Sequence, residues 1–170
     1  MDILKAAIDW AKAEVFSSQF FILFGLLFVL ATIGFWQLGK TEIAKAFVIP
    51  TLVAGILLLT IGVGLFFSNK SRLASFPTEY NNNASAFVQS EIVRAEKTMK
   101  EYQTIVFKII PIIIIVAALL IIFINKPTWR AISITTIAMM VVILLVDINA
   151  NARIEDYNKQ LMLIEKDTNN

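Results

Sequence analysis

The chain has 170 residues, of which 58% are hydrophobic and only 16% charged, far from a soluble protein on both counts. It holds no cysteine and no histidine, which excludes disulfides, thiolate metal sites and cysteine nucleophiles and removes the commonest metal ligand and general base. A net charge of +2, with no basic stripe interleaved with aromatics, gives no sign of a nucleic-acid partner.

The apolar residues come in four blocks, 20–36, 46–67, 109–124 and 131–146, none containing Asp, Glu, Lys or Arg. Crossing roughly 30 Å of hydrocarbon takes about 20 helical residues. The second block meets this alone, the first once Gln19 and Gln37 are included, and the last two draw in flanking residues. The expected fold is all-α: a polytopic membrane protein with four transmembrane helices in two antiparallel hairpins.

Residues 2–15 pattern as an amphipathic helix, with Ile3, Ala6, Ala7 and Trp10 opposite Lys5, Asp9 and Lys12. Trp10 suits the headgroup level, so this helix is expected to lie along the membrane as an entry anchor. Asp2, Asp9 and Glu14 contradict a basic leader, and no small-x-small site closes the first block; the first span is read as retained rather than cleaved. Ser17 and Ser18 are expected to cap it.

Gly39-Lys40-Thr41-Glu42 joins the first two spans. Gly39 is expected to end one helix in the left-handed conformation and Thr41 to cap the next. So short a link makes the two helices antiparallel neighbours. Gly25, Gly34, Gly55, Gly62 and Gly64 allow close backbone approach, although none forms a GxxxG pair. Pro50 is expected to kink the second helix.

Residues 68–83 read as a polar connector. Val88, Ile92, Ala95, Met99, Tyr102 and Val106 then recur at heptad spacing, with Glu96–Lys100 and Lys97–Glu101 as supporting pairs. No breaker separates this segment from the third span, which predicts one long helix bent near Pro111. The Asn125-Lys126-Pro127-Thr128 turn leads into the fourth span. Beyond it Ala150, Ile154, Tyr157, Leu161 and Ile164 repeat the seam. Both extensions leave the membrane on one side, so they are expected to form an antiparallel two-helix stalk. The units are then 1–67 (anchor helix and first hairpin), 68–83 (connector) and 84–170 (second hairpin and stalk). Counted from the 125–130 turn, Lys108 and Asp147 reach the same depth and are expected to pair at the base of the stalk.

Eleven of the 15 Lys and Arg residues lie on the side of the termini, which places termini and stalk in the cytoplasm. The abundance of Ile, Asn and Lys suggests an AT-rich bacterial genome, and the expected location is the bacterial inner membrane. Glu155 and Asp156 are adjacent on a helix and cannot converge on one reacting centre, and no phosphate loop, Ser-x-x-Lys or zinc motif is present. No catalytic residue, cofactor or metal is therefore expected. The expected function is that of a non-enzymatic adaptor, accessory or immunity-type binding subunit. Its partners would be the lipid bilayer and another membrane protein or a second copy of the chain. The alternative is an oligomeric channel or transporter with Ser133, Thr135, Thr136, Met139 and Met140 lining a pore; as packing groups, those hydroxyls would instead bond back to i−4 carbonyls.

Overall fold

The computed structural model describes residues 3–168, with side chains described through residue 166, and it is almost entirely helical. Residues 1, 2, 169 and 170, which the expected terminal units include, lie outside the described residues. The elements are α1 (Ile3–Leu38), the short α2 (Glu42–Ala46), α3 (Val48–Asn82), α4 (Ala84–Glu101), a π-helical segment (Tyr102–Ile109), α5 (Ile110–Phe123) and α6 (Pro127–Thr168). Among the described residues, four helical stretches are long and apolar enough to cross a membrane: Ile3–Leu38, Glu42–Asn82, Ala84–Phe123 and Pro127–Lys166. Large apolar side chains stay exposed along them, Leu30, Ile115, Ile122 and Leu145 among others. A water-soluble domain rarely tolerates such surface; hydrocarbon as the solvent requires it.

Two expectations fail near the N-terminus. Residues 3–15 do not form a separate helix, since α1 runs unbroken for 36 residues, about 54 Å at 1.5 Å per residue. Ser17 and Ser18 therefore lie inside a helix and cap nothing; the Ser18 hydroxyl donates to the Val15 carbonyl at 2.7 Å. The apolar face of 3–15 is covered by protein: Ile3, Ala7, Trp10 and Ala11 are buried in one cluster with Phe76, Phe87 and Tyr157.

The 68–83 segment is likewise not a connector, because α3 continues through Asn82. Its polar composition hides Leu73, Phe76 and Tyr80 at spacings of three and four, and these pack against the same cluster. Pro77 sits within the helix and removes one internal hydrogen bond without ending it. The true break is at Asn83, whose extended backbone ends α3 and whose side chain accepts from the Ala86 N–H at 3.0 Å, capping α4.

Small residues set the approach of α1 to α3. A Cβ on Gly25 would lie 2.9 Å from the Leu59 nitrogen, and one on Gly62 would lie 2.8 Å from the Ile22 nitrogen. Gly55 faces the Gly25 carbonyl, whereas Gly34 and Gly64 face open space and do not serve the contact. Thr32 and Thr51 share a buried 2.9 Å hydrogen bond between the helices. Phe35 stacks on Phe47 at 5.1 Å. The chain turns at Gly39 without a positive φ, contrary to the expected left-handed end. The glycine is needed for space, since a Cβ would sit 2.2 Å from the Phe35 carbonyl oxygen. Thr41 does cap α2, accepting from the Ala44 N–H at 3.1 Å.

Two prolines shape the remaining helices. Pro50 has no N–H for the Ala46 carbonyl, and the helix breaks at Phe47, between α2 and α3. Pro111 has none for the Phe107 carbonyl; the preceding eight residues widen into the π segment, and the chain then resumes as α5.

Candidate functional site

The seam residues reach the interior. Val88, Ile92, Ala95, Val106, Ala150, Ile154, Tyr157 and Leu161 are buried, and Met99, Tyr102 and Ile164 pack partly buried against the same core. That core is shared by α1, α3, α4 and α6 rather than by two helices alone, because α1 and α3 run as far as the seam does.

Polar groups run through this end. The Tyr157 hydroxyl donates to Glu91 Oε2 at 2.9 Å, and Arg94 Nε donates to Glu91 Oε1 at 2.8 Å. Trp10 stacks on Tyr157 at 5.4 Å and carries the Arg94 guanidinium 4.2 Å from its ring centre; the two contacts are worth about 1 kcal/mol each. Arg153 donates to Glu14 Oε1 at 3.0 and 2.9 Å and to the Ser17 hydroxyl at 2.7 Å. Burial raises the Glu14 carboxyl above its ordinary value even against the lowering charge of Arg153. Burial and the Glu91 charge push the Tyr157 phenol far up.

Lys108 and Asp147 do not meet. Among the described residues the ion pairs are Arg94–Glu91, Lys97–Glu101, Arg153–Glu14 and Lys159–Asp156. Lys108 is exposed on the π segment and Asp147 is half-buried on α6. Equal depth was counted on two uniform α-helices, and the wider π turns rotate Lys108 out of that register. Lys97–Glu101 forms at 4.0 Å, whereas Glu96–Lys100 is not among these pairs.

Among the described residues α5 packs on α6 and the π segment alone, and α1 does not pack on α4, the π segment or α5. Among the described residues α3 packs on α1, α2, α4 and α6 but makes no contact with the π segment or α5. The gap is a cleft of about 520 Å³. One end is lined by Trp10, Glu14, Asn69, Arg72, Arg94, Thr98, Glu101, Tyr102 and Asp147, the other by apolar side chains including Phe21, Ile61, Leu65, Ile110, Ile113 and Ile143. Arg72 donates to Asn69 Oδ1 at 2.7 Å and lies 5.8 Å from the Trp10 ring centre, but it has no carboxylate partner among the described residues. Burial and the nearby Arg94 charge lower its pKa. Trp10 is 8% exposed, and its buried indole Nε1 has no acceptor among the described residues.

A second cavity, of about 470 Å³, lies between the start of α3 and α6, lined by Pro50, Val53, Leu57, Ile132, Thr135, Thr136 and Met139. Ser133 and Thr135 are buried with hydroxyls that find no partner among the described residues, so neither makes the expected back-bond. No three acidic side chains among the described residues converge on a metal position.

Glu91, Glu14, Arg72, Arg94 and Arg153 were not expected at the site. Glu91 directly precedes the seam residue Ile92, and Glu14 follows Trp10 by four residues, so both flank apolar stripes. Position beside a stripe was the one available signal. Comparison of the chain with protein-family models, curated proteins and solved structures gives no match.

Proposed function

We propose that this is a non-enzymatic integral membrane protein, an adaptor, accessory or immunity-type binding subunit, whose binding surface is the lateral cleft beside α3. Its four long helices cross the bilayer as two antiparallel hairpins. Their polar-cored ends begin in the headgroup layer and run outward from it as a four-helix continuation in place of a two-helix stalk. The excess of Lys and Arg at that end supports a cytoplasmic orientation for it and for both termini.

The observation that carries this reading is the missing contact between α3 and α5. Elsewhere Gly25, Gly55 and Gly62 close α1 on α3, and Trp10, Phe76, Phe87 and Tyr157 pack α1, α3, α4 and α6 together. On this side the bundle leaves a cleft with charged groups at one end and an apolar floor, the form of a site for another molecule in the membrane. The charges near it are engaged with each other or lack a substrate-facing acid–base pair, which favours binding over catalysis.

The test is native mass measurement from mild detergent, with the cleft filled by Leu65→Trp or Ile113→Trp. Extra mass at fixed stoichiometry that is lost on filling the cleft supports the reading. A bare symmetric homo-oligomer that passes ions after reconstitution supports the channel alternative instead.

A further inference from the structure

We infer that the cleft between α3 and the π segment binds one anionic phospholipid, its phosphate held by Arg72 and the Trp10 indole N–H and its acyl chain lying along Ile61, Leu65 and Ile113. This rests on the reading of the cleft as a binding surface and names what fills it.

Three observations converge. First, the polar end offers donors that the chain leaves unused. Arg72 spends one guanidinium nitrogen on the neutral Asn69 and has no carboxylate partner among the described residues. The Trp10 N–H is buried with no acceptor among them, although a buried donor of this kind ordinarily has one. An Arg72 guanidinium with nitrogens to spare beside an unpaired indole N–H calls for an oxyanion, and guanidinium forks suit phosphate oxygens.

Second, all but one of the acidic groups at this end are accounted for. Glu91 is held by Arg94 and Tyr157, Glu14 by Arg153, and Glu101 by Lys97 at the surface. Asp147 lines the cleft as well and is the one carboxylate there without an ion-pair partner among the described residues. It lies on α6, a different helix from the one that carries Arg72.

Third, the depth is right. Arg72 follows Phe67, the last residue of the second apolar block, by five residues, about 7 Å along the helix. That is the thickness of the headgroup layer beyond the hydrocarbon. From Phe67 back to Ile61 is six residues, about 9 Å of apolar wall that opens sideways where α3 does not pack on α5. A lipid can enter from the bilayer without crossing water.

The experiment reconstitutes the full chain in nanodiscs of dioleoyl-phosphatidylglycerol or dioleoyl-phosphatidylcholine, releases it into mild detergent and counts retained lipid by native mass spectrometry. One phosphatidylglycerol per chain is expected, with about a tenfold preference over phosphatidylcholine, which has the same phosphate but sets a choline cation against the Arg72 guanidinium. Arg72→Gln removes that preference while leaving the unfolding midpoint within the range of a surface substitution. Should Arg72→Gln fail to fold, Leu65→Trp gives the same loss by occupying the tail position. Equal retention of the two lipids, or an unchanged preference in Arg72→Gln or Leu65→Trp, overturns the proposal. Displacement of the lipid by millimolar inorganic phosphate overturns it too, because the site would then be one for a free oxyanion. Equal retention still leaves the cleft a binding surface; retention of nothing by a chain that assembles and conducts ions ends both readings.

Discussion

Arg153 on α6 donates through two nitrogens to a single Glu14 oxygen on α1, at 3.0 and 2.9 Å, joining residues 139 apart in the chain. The two helices come from opposite ends of the sequence, and this pair fixes their axial register where the apolar stretches give way to the polar core. The pair is 29% and 13% exposed at its two side chains, so solvent screens it in part.

Removing one partner leaves the other charge half-buried. Glu14→Gln or Arg153→Met is expected to lower stability by about 1–3 kcal/mol, the buried-pair cost discounted for exposure. The double variant Glu14→Met with Arg153→Met is expected to recover most of that loss. Detergent unfolding titrations of the four proteins check this; a double variant that loses the sum of the singles contradicts it.

Tyr157 serves two contacts that can be separated. Tyr157→Phe loses only the bond to Glu91, expected at about 1 kcal/mol, and keeps the stack on Trp10. Tyr157→Ala also empties a core position that is 3% exposed, for about 3–5 kcal/mol. Equal losses in the two variants would show that the ring contributes nothing.

The glycines divide sharply. Gly62→Ala would push a methyl to 2.8 Å from the Ile22 backbone nitrogen, whereas Gly64→Ala meets nothing. The first is expected to cost about 1–3 kcal/mol by forcing α1 and α3 apart. The second is expected to be neutral, or to stabilise by about 0.5–1 kcal/mol through helix propensity. Unfolding midpoints of the two alanine variants decide it.

Lys108 and Asp147 face different surroundings, so they should behave independently. The exchange Lys108→Asp with Asp147→Lys is expected to show the sum of the single effects within about 0.5 kcal/mol. Rescue of folded yield by the exchange would mean that the two side chains meet after all.

Helix content was legible because long apolar blocks and heptad spacing are local signals. The buried seam from Val88 to Val106 and from Ala150 to Ile164 was readable from spacing alone. Where 68–83 reads as a connector, Asn, Ser and Lys dilute the Leu73–Phe76–Tyr80 stripe below recognition. The helix there is held by tertiary packing, which overrides weak propensity. Trp10 was placed at the headgroup level as a lone amphipathic side chain, but its environment comes from Tyr157, Arg72 and Arg94, distant in sequence. The cleft could not be read at all, since it arises from a contact that α3 and α5 do not make. No residue pattern encodes an absence of that kind.

The chain contains no cysteine, so single cysteines report depth cleanly. Cysteines placed one at a time at Leu27, Leu57, Ile115, Ile134, Val93 and Leu163 would be tested in native membranes with a water-soluble maleimide. The first four should stay unlabelled until the membrane is dissolved; Val93 and Leu163, exposed at the polar-cored end, should label from one and the same side. Prompt labelling at the first four positions in intact membranes would contradict a bilayer-crossing bundle.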